Sequence, residues 1–182
     1  MGANSTFGTI EHVEIYAPAY EQRIQQRYQS EVDQLTDLGF NHLFYFGEAF
    51  SVFRLLLVFP LLVLLAMRSK GTPITLYQGT KVLAGNPVLG ARDKTAYAHP
   101  NSFGVTFHTA FRDGSVLLSK TYADPLTYIP TTTSYGRVAS IADTWAAHQG
   151  RIQDMESSGK RVDLQTSFAF YSEMVRKEKP TG

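Results

Sequence analysis

The sequence predicts an α+β protein: a long N-terminal amphipathic helix, one hydrophobic membrane-embedded helix, then a small antiparallel sheet domain closed by a C-terminal amphipathic helix. Three observations predict it. Apolar residues recur at steps of three and four in two separated stretches, "PAYEQRIQQRYQSEVDQLTDLGF" and the segment around Trp145. Between them lies the longest apolar run of the chain, in "FSVFRLLLVFPLLVLLAMRSKG". Further on, "FGVTFHTAFRDGSVLLSKTYADP" alternates polar and apolar residues about an Asp-Gly pair, the pattern of a β-hairpin. The expected organisation is an N-terminal extension and helix over 1–42, a hydrophobic transmembrane or re-entrant segment over 43–70, and an α+β domain over 71–182.

Residues 1–17 read as an extended lead-in. In the first helix Tyr20, Ile24, Tyr28, Val32, Leu35 and Leu38 fall on one face, with Pro18 suited to the first turn and Gly39 to the left-handed position that ends it. "TPITLYQGTKVLAGNP" holds two short strands around Gly79, and "GARDKTAYAHPNS" is loop with one strand near Tyr97. In the hairpin, Val105, Phe107, Thr109 and Phe111 share a face, and Asp113-Gly114 supplies the turn. "PLTYIPTTTSYG" is a proline-bounded surface loop. A second helix runs from Gly136 to Ser158 and stops before Gly159, with Val138, Ile141, Ala142, Trp145, Ile152 and Met155 as its apolar stripe. "LQTSFAFYSEMV" forms a last strand or a short helix.

The totals narrow the functional classes. A chain of 182 residues with net charge +1 carries no strong field for nucleic acid. The absence of cysteine excludes disulfides, thiolate metal sites and cysteine nucleophiles. Charged residues are 18% and aromatics 13%, a balance that suits a surface covered by a partner or by lipid. No basic region leads into an apolar stretch at the N-terminus, so no secretory signal is expected. "MGANST" matches an N-myristoylation pattern at Gly2 and a glycosylation sequon at Asn4, both short enough to arise by chance.

The apolar run admits two readings. Its uninterrupted part, Leu55 to Met67, makes about 20 Å of helix, short of the ~30 Å hydrocarbon core and typical of a buried core helix. Extended back to Ala49 it is long enough to span, with Arg54 placed to snorkel and Pro60 tolerated in lipid. Leu55, Leu57, Phe59, Leu61 and Leu64 cover every side, leaving no face for water. Phe44, Tyr45, Phe46, Phe50 and Phe53 form an aromatic belt at one boundary, and Arg68 and Lys70 mark the other. A single span is the preferred expectation, with the C-terminal domain in the cytoplasm by the positive-inside tendency.

"VDQLTDLGFNHL", "GVTFHTAFRDGSVLLS" and "AAHQGRIQDMESSGKRV" resemble a loose group of uncharacterised, membrane-associated bacterial proteins across about a third of the chain. The resemblance implies no activity and transfers no functional residue. It raises a physical problem: if the first helix packs on the later sheet, both ends of the apolar run lie on one side of a bilayer. The run would then be re-entrant, interfacial or a core helix.

Chemistry finds little purchase. His12, His42, His99, His108 and His148 form no ligand pair with a carboxylate, so no metal site is expected. His108 and His148 read as half-buried or partner-facing. The glycines of "GTKVLAGNPVLG" lack phosphate-cradling spacing. The functional expectation is a non-catalytic accessory subunit of a large bacterial membrane complex, respiratory or photosynthetic. It would have other membrane subunits and lipid as partners, no cofactor, no nucleic acid and no small-molecule ligand, and would lie in the inner or intracytoplasmic membrane. A membrane-anchored α+β binding module and a soluble enzyme are the alternatives.

Overall fold

In the computed structural model the described residues are 11–16, 18–51, 75–78, 81–101, 103–122 and 139–178. They build one antiparallel sheet of seven strands flanked by four helices. In chain order these are β1 (Glu11–Ile15), α1 (Pro18–Arg27), α2 (Gln29–Asp37), β2 (Phe40–Ser51), β3 (Thr75–Gln78), β4 (Lys81–Ala91), β5 (Tyr97–Asn101), β6 (Gly104–Ala110), β7 (Val116–Lys120), α3 (Ile141–Ser157) and α4 (Phe168–Glu178). The strands lie in the order β1-β2-β4-β5-β6-β7, and β3 pairs with the first part of β4.

Both faces of the sheet are covered, as the alternation along β4, β5 and β6 requires. Leu89, Ala96, Ala98, Val105 and Phe107 point to one side, where they meet Leu35 of α2 and Trp145 of α3. Val88, Tyr97 and Ala110 point to the other, where they meet Tyr171 and Met174 of α4. A register shift between His42 and Phe44 lets β2 change sides: Phe40 joins the α2–α3 core, whereas Phe44 and Phe46 join the α4 core. Helix α1 lies over β4 at Gly85, where an added Cβ would stand 2.7 Å from Ile24 Cδ1.

The first amphipathic stretch is two helices rather than one. The chain breaks at Tyr28, whose backbone (φ −108°, ψ 17°) leaves the helical range and whose hydroxyl donates to Asn86 Oδ1 at 2.7 Å. The helix pair ends at Gly39, which takes φ +91°. The second expected helix starts later, at Ile141: Ser140 caps it, accepting from the Asp143 amide at 3.0 Å. The stretch 164–175, expected as a last strand or short helix, enters helix α4 (Phe168–Glu178) at Phe168. At the β6–β7 turn, Gly114 takes φ +81°, and Asp113 Oδ1 accepts from the Ser115 amide at 2.9 Å, so Asp113 and Gly114 make the turn.

The sheet also places the two flanks of the apolar run. Ser51, at the end of β2, and Gln78, at the end of β3, are both partnered with Lys81, on opposite sides of β4. A straight single span would hold its flanks on opposite faces of a bilayer, about 30 Å apart. Strands hydrogen-bonded to one neighbour sit about 10 Å apart. The single crossing is therefore corrected: the chain leaves and rejoins the same sheet. No helix among the described residues is long and apolar enough to cross a membrane.

Candidate functional site

Beneath α4 the sheet gathers three histidines from distant parts of the chain. Alternation along β5 sends Tyr97 and His99 to this face, and His108 of β6 stands directly opposite Tyr97 in the ladder. His12 arrives from β1, its ring 4.9 Å from Phe46. Phe46 links it to His99 at 5.9 Å, and His99 lies 6.3 Å from His108. Tyr171 drops from α4 into the middle, 6.0 Å from the His99 ring and 5.7 Å from that of His108.

Two hydrogen bonds tie the helix to these rings. The Tyr171 hydroxyl meets His99 Nδ1 at 2.9 Å, and Ser172 Oγ meets His12 Nδ1 at 2.9 Å. The Tyr97 hydroxyl donates to the Gln165 carbonyl just before the helix. His99 Nε2 is shut away from solvent and has no hydrogen-bond partner among the described residues. Burial, reinforced by the neighbouring His108, pulls the His99 pKa down to about 3. Burial also pushes the Tyr97 hydroxyl well above its ordinary range.

The opposite face carries a second polar cluster. His148 of α3 is fully buried, its Nε2 2.9 Å from Thr109 Oγ1 and its Nδ1 2.8 Å from Ser119 Oγ. The directions of these bonds can be assigned. Thr109 spends its only proton on the Thr95 carbonyl at 2.8 Å, so it accepts from His148 Nε2–H. Nδ1 is then the acceptor and Ser119 the donor, while Ser119 Oγ accepts from Arg151 Nη1 at 3.4 Å.

A serine hydroxyl donating to an imidazole is the first requirement of a nucleophilic pair. The remaining requirements are unmet. The group orienting the imidazole is a threonine hydroxyl rather than a carboxylate. Burial, then His108 and Arg151, hold His148 down to about 3, too weak a base to activate an alcohol. Ser119 is itself 6% exposed. The cluster clamps α3 onto β6 and β7.

At the hairpin tip Lys160 Nζ reaches Asp113 Oδ2 at 2.8 Å and lies 5.7 Å from the Phe111 ring centre. Lys160, helped by Ser115, holds the Asp113 carboxyl well below the usual carboxylate range. This pair fastens the turn to the end of α3. Among the described residues no group of three or more His, Asp or Glu is arranged to hold a metal ion.

No family model, curated protein or solved structure matches this chain.

The structure redistributes the residues singled out from sequence. Phe44 and Phe46, expected in a membrane-boundary belt, are buried in the protein's own core at 7% and 0% exposure, edge-to-face with Tyr171 at ring-centre distances of 5.7 and 5.2 Å. Tyr45 points the other way, onto the α1 cluster of Ile15, Tyr20 and Ile24. Phe44, Tyr45 and Phe46 follow a strand's alternation, which a helical reading of the aromatics conceals. Phe50 also lies in β2. Phe53, Arg54, Leu55, Leu57, Phe59, Pro60, Leu61, Leu64, Arg68 and Lys70 lie outside the described residues. His108 and His148, expected as half-buried or partner-facing, are enclosed by the chain itself. Sequence reasoning missed the His99–Tyr171 and His12–Ser172 pairs, which join residues 72 and 160 positions apart. The alternation Tyr97-x-His99 was the one local signal.

Proposed function

We propose that this chain is a non-catalytic accessory subunit of a bacterial membrane protein complex, attached to one leaflet by the apolar residues between β2 and β3. The observation that carries the reading is the shared pairing of Ser51 and Gln78 with Lys81. About 23 residues separate the two strands, and they include the whole apolar run and its basic end at Arg68 and Lys70. An excursion that goes out and back has about 11 residues per leg, or about 17 Å of helix, roughly half the hydrocarbon core. Backbone inside lipid must satisfy its own hydrogen bonds, so helical legs set that limit. Pro60 stands near the midpoint, where such an excursion has to reverse.

On this reading lipid and neighbouring subunits cover the apolar run, and the sheet domain docks on the membrane surface. With both flanks on one side, Arg54, Arg68, Lys70 and Lys81 act together and favour the cytoplasmic face of an inner or intracytoplasmic membrane. The non-catalytic reading draws support from the two histidine clusters, which hold helices to the sheet and keep their imidazoles neutral.

Alkaline carbonate washing followed by native gel electrophoresis of detergent extracts tests the proposal. The full chain should stay in the membrane pellet and migrate with a particle much larger than 20.3 kDa. A variant with residues 52–74 replaced by a short Gly-Ser linker should be soluble, folded and absent from that particle. Release of the full chain by carbonate as a small particle would overturn the reading.

A further inference from the structure

The mode of attachment of α4 suggests a device that is independent of membrane attachment. Helix α4 is the last element before residue 179, and it alone covers the sheet face opposite α1, α2 and α3 among the described residues. Two of its side-chain hydrogen bonds to that face end on imidazoles: Tyr171 on His99 and Ser172 on His12. The rest of its grip is apolar and aromatic, through Phe168, Tyr171 and Met174 on Phe44, Phe46 and Tyr97.

The His99 ring cannot take a second proton in this arrangement without cost. The imidazolium carries an N–H on both nitrogens: Nδ1 must then donate to the Tyr171 hydroxyl, while the Nε2–H is sealed from solvent with no acceptor among the described residues. A buried imidazolium without an acceptor is strongly disfavoured. His108, 6.3 Å away, opposes the charge further. We propose that α4 is an acid-released latch: proton uptake by His99 detaches the helix from the sheet and bares the aromatic face beneath it, while α3 remains docked.

The charged and titratable groups around His99 are few. From β1 come His12 and Glu14, and Glu48 of β2 is partnered with His12 in the ladder. His108 comes from β6 and Lys120 from β7, opposite Thr106. On α4 Glu173 and Arg176 pair with each other at 3.0 Å, on the helix surface. Burial holds the Tyr97 hydroxyl well above its ordinary range, so it stays neutral in acid. Of the imidazoles at the seam, His99 is the one that α4 holds by a hydrogen bond through Tyr171, with His108 buried beside it.

The direction follows from linkage. The His99 pKa is about 3 with the helix docked and about 6.5 with the ring exposed. Docking is then at full strength above about pH 6.5 and weakens about tenfold per pH unit as pH falls from there toward 3. Opening α4 leaves His148 enclosed under α3, so the first release relieves His99 alone.

The full chain carries one tryptophan, Trp145 on α3, and no cysteine. An Ala169→Cys variant labelled with an environment-sensitive dye therefore reports α4, and Trp145 emission reports the opposite face. As pH is lowered from 7.5 to 4 in detergent, the dye signal should change at a higher pH than the Trp145 signal. His99→Gln, which keeps a hydrogen-bonding group near Tyr171, should move the dye transition at least one pH unit lower. Tyr171→Phe should weaken docking at every pH and leave the slope unchanged. Coincident dye and Trp145 transitions in the otherwise unaltered chain would overturn the proposal even if the substituted chains fail to fold. A dye transition unmoved by His99→Gln would also overturn it.

Discussion

Each face of the sheet holds a histidine whose pKa is pulled far down, and the two are finished differently. On the α3 face both nitrogens of His148 are engaged, Nε2 by Thr109 and Nδ1 by Ser119, and the hydroxyl chain fixes one tautomer. On the α4 face His99 has Tyr171 on one nitrogen, and the other is sealed without a hydrogen-bond partner among the described residues. Both imidazoles are held neutral, with pKa values near 3, and burial dominates in each case. The comparison teaches that the same pKa can arise from a completed network or an incomplete one. A complete network rigidifies its helix, and an incomplete one leaves the helix dependent on packing.

The largest expected effect probes that packing. Phe46→Ala removes a fully buried ring that touches His12, His99, Phe168 and Tyr171, and should lower unfolding free energy by about 3–5 kcal/mol in urea titrations. Acid comes next. His99 and His148 each contribute stability that is present above about pH 6.5 and lost as pH falls toward 3. Lowering pH from 6.5 to 5 should therefore cost about 2 kcal/mol per histidine. His99→Gln and His148→Leu should each remove about half of that slope, and an unchanged slope would break the symmetry assumed here. At neutral pH, His148→Leu should cost about 1–3 kcal/mol, because Ser119 loses its acceptor in a buried setting. Ser140→Ala should cost about 1 kcal/mol by uncapping α3, read as a lower thermal midpoint. Arg176→Ala, on the exposed side of α4, should change stability by less than about 0.5 kcal/mol.

Periodicity made much of the fold legible. The stripe through Tyr20, Ile24 and Leu35 and the alternation from Val105 to Phe107 identify faces that the structure buries. The Asp113-Gly114 turn was readable because its chemistry is local. Three features were hidden for physical reasons. The helix breaks at Tyr28, whose hydroxyl meets Asn86, 58 residues away. Strand β2 is an aromatic run whose side chains serve both faces through a register shift, so composition alone gave it the look of a membrane boundary. The seam of histidines joins β1, β5, β6 and α4, and a contact between His12 and Ser172 leaves no trace in any local pattern.

Ser51 and Gln78 flank the apolar run on one sheet, so the proposed membrane attachment requires both flanks on one side of the bilayer. A chain without native cysteine makes the test direct: single cysteines at Ser30 on α2 and Ser115 in the β6–β7 turn, probed in sealed vesicles of known orientation with a membrane-impermeant thiol reagent. The account predicts that both positions label from the same side, and that neither labels from the other. Labelling of Ser30→Cys and Ser115→Cys from opposite sides would contradict it.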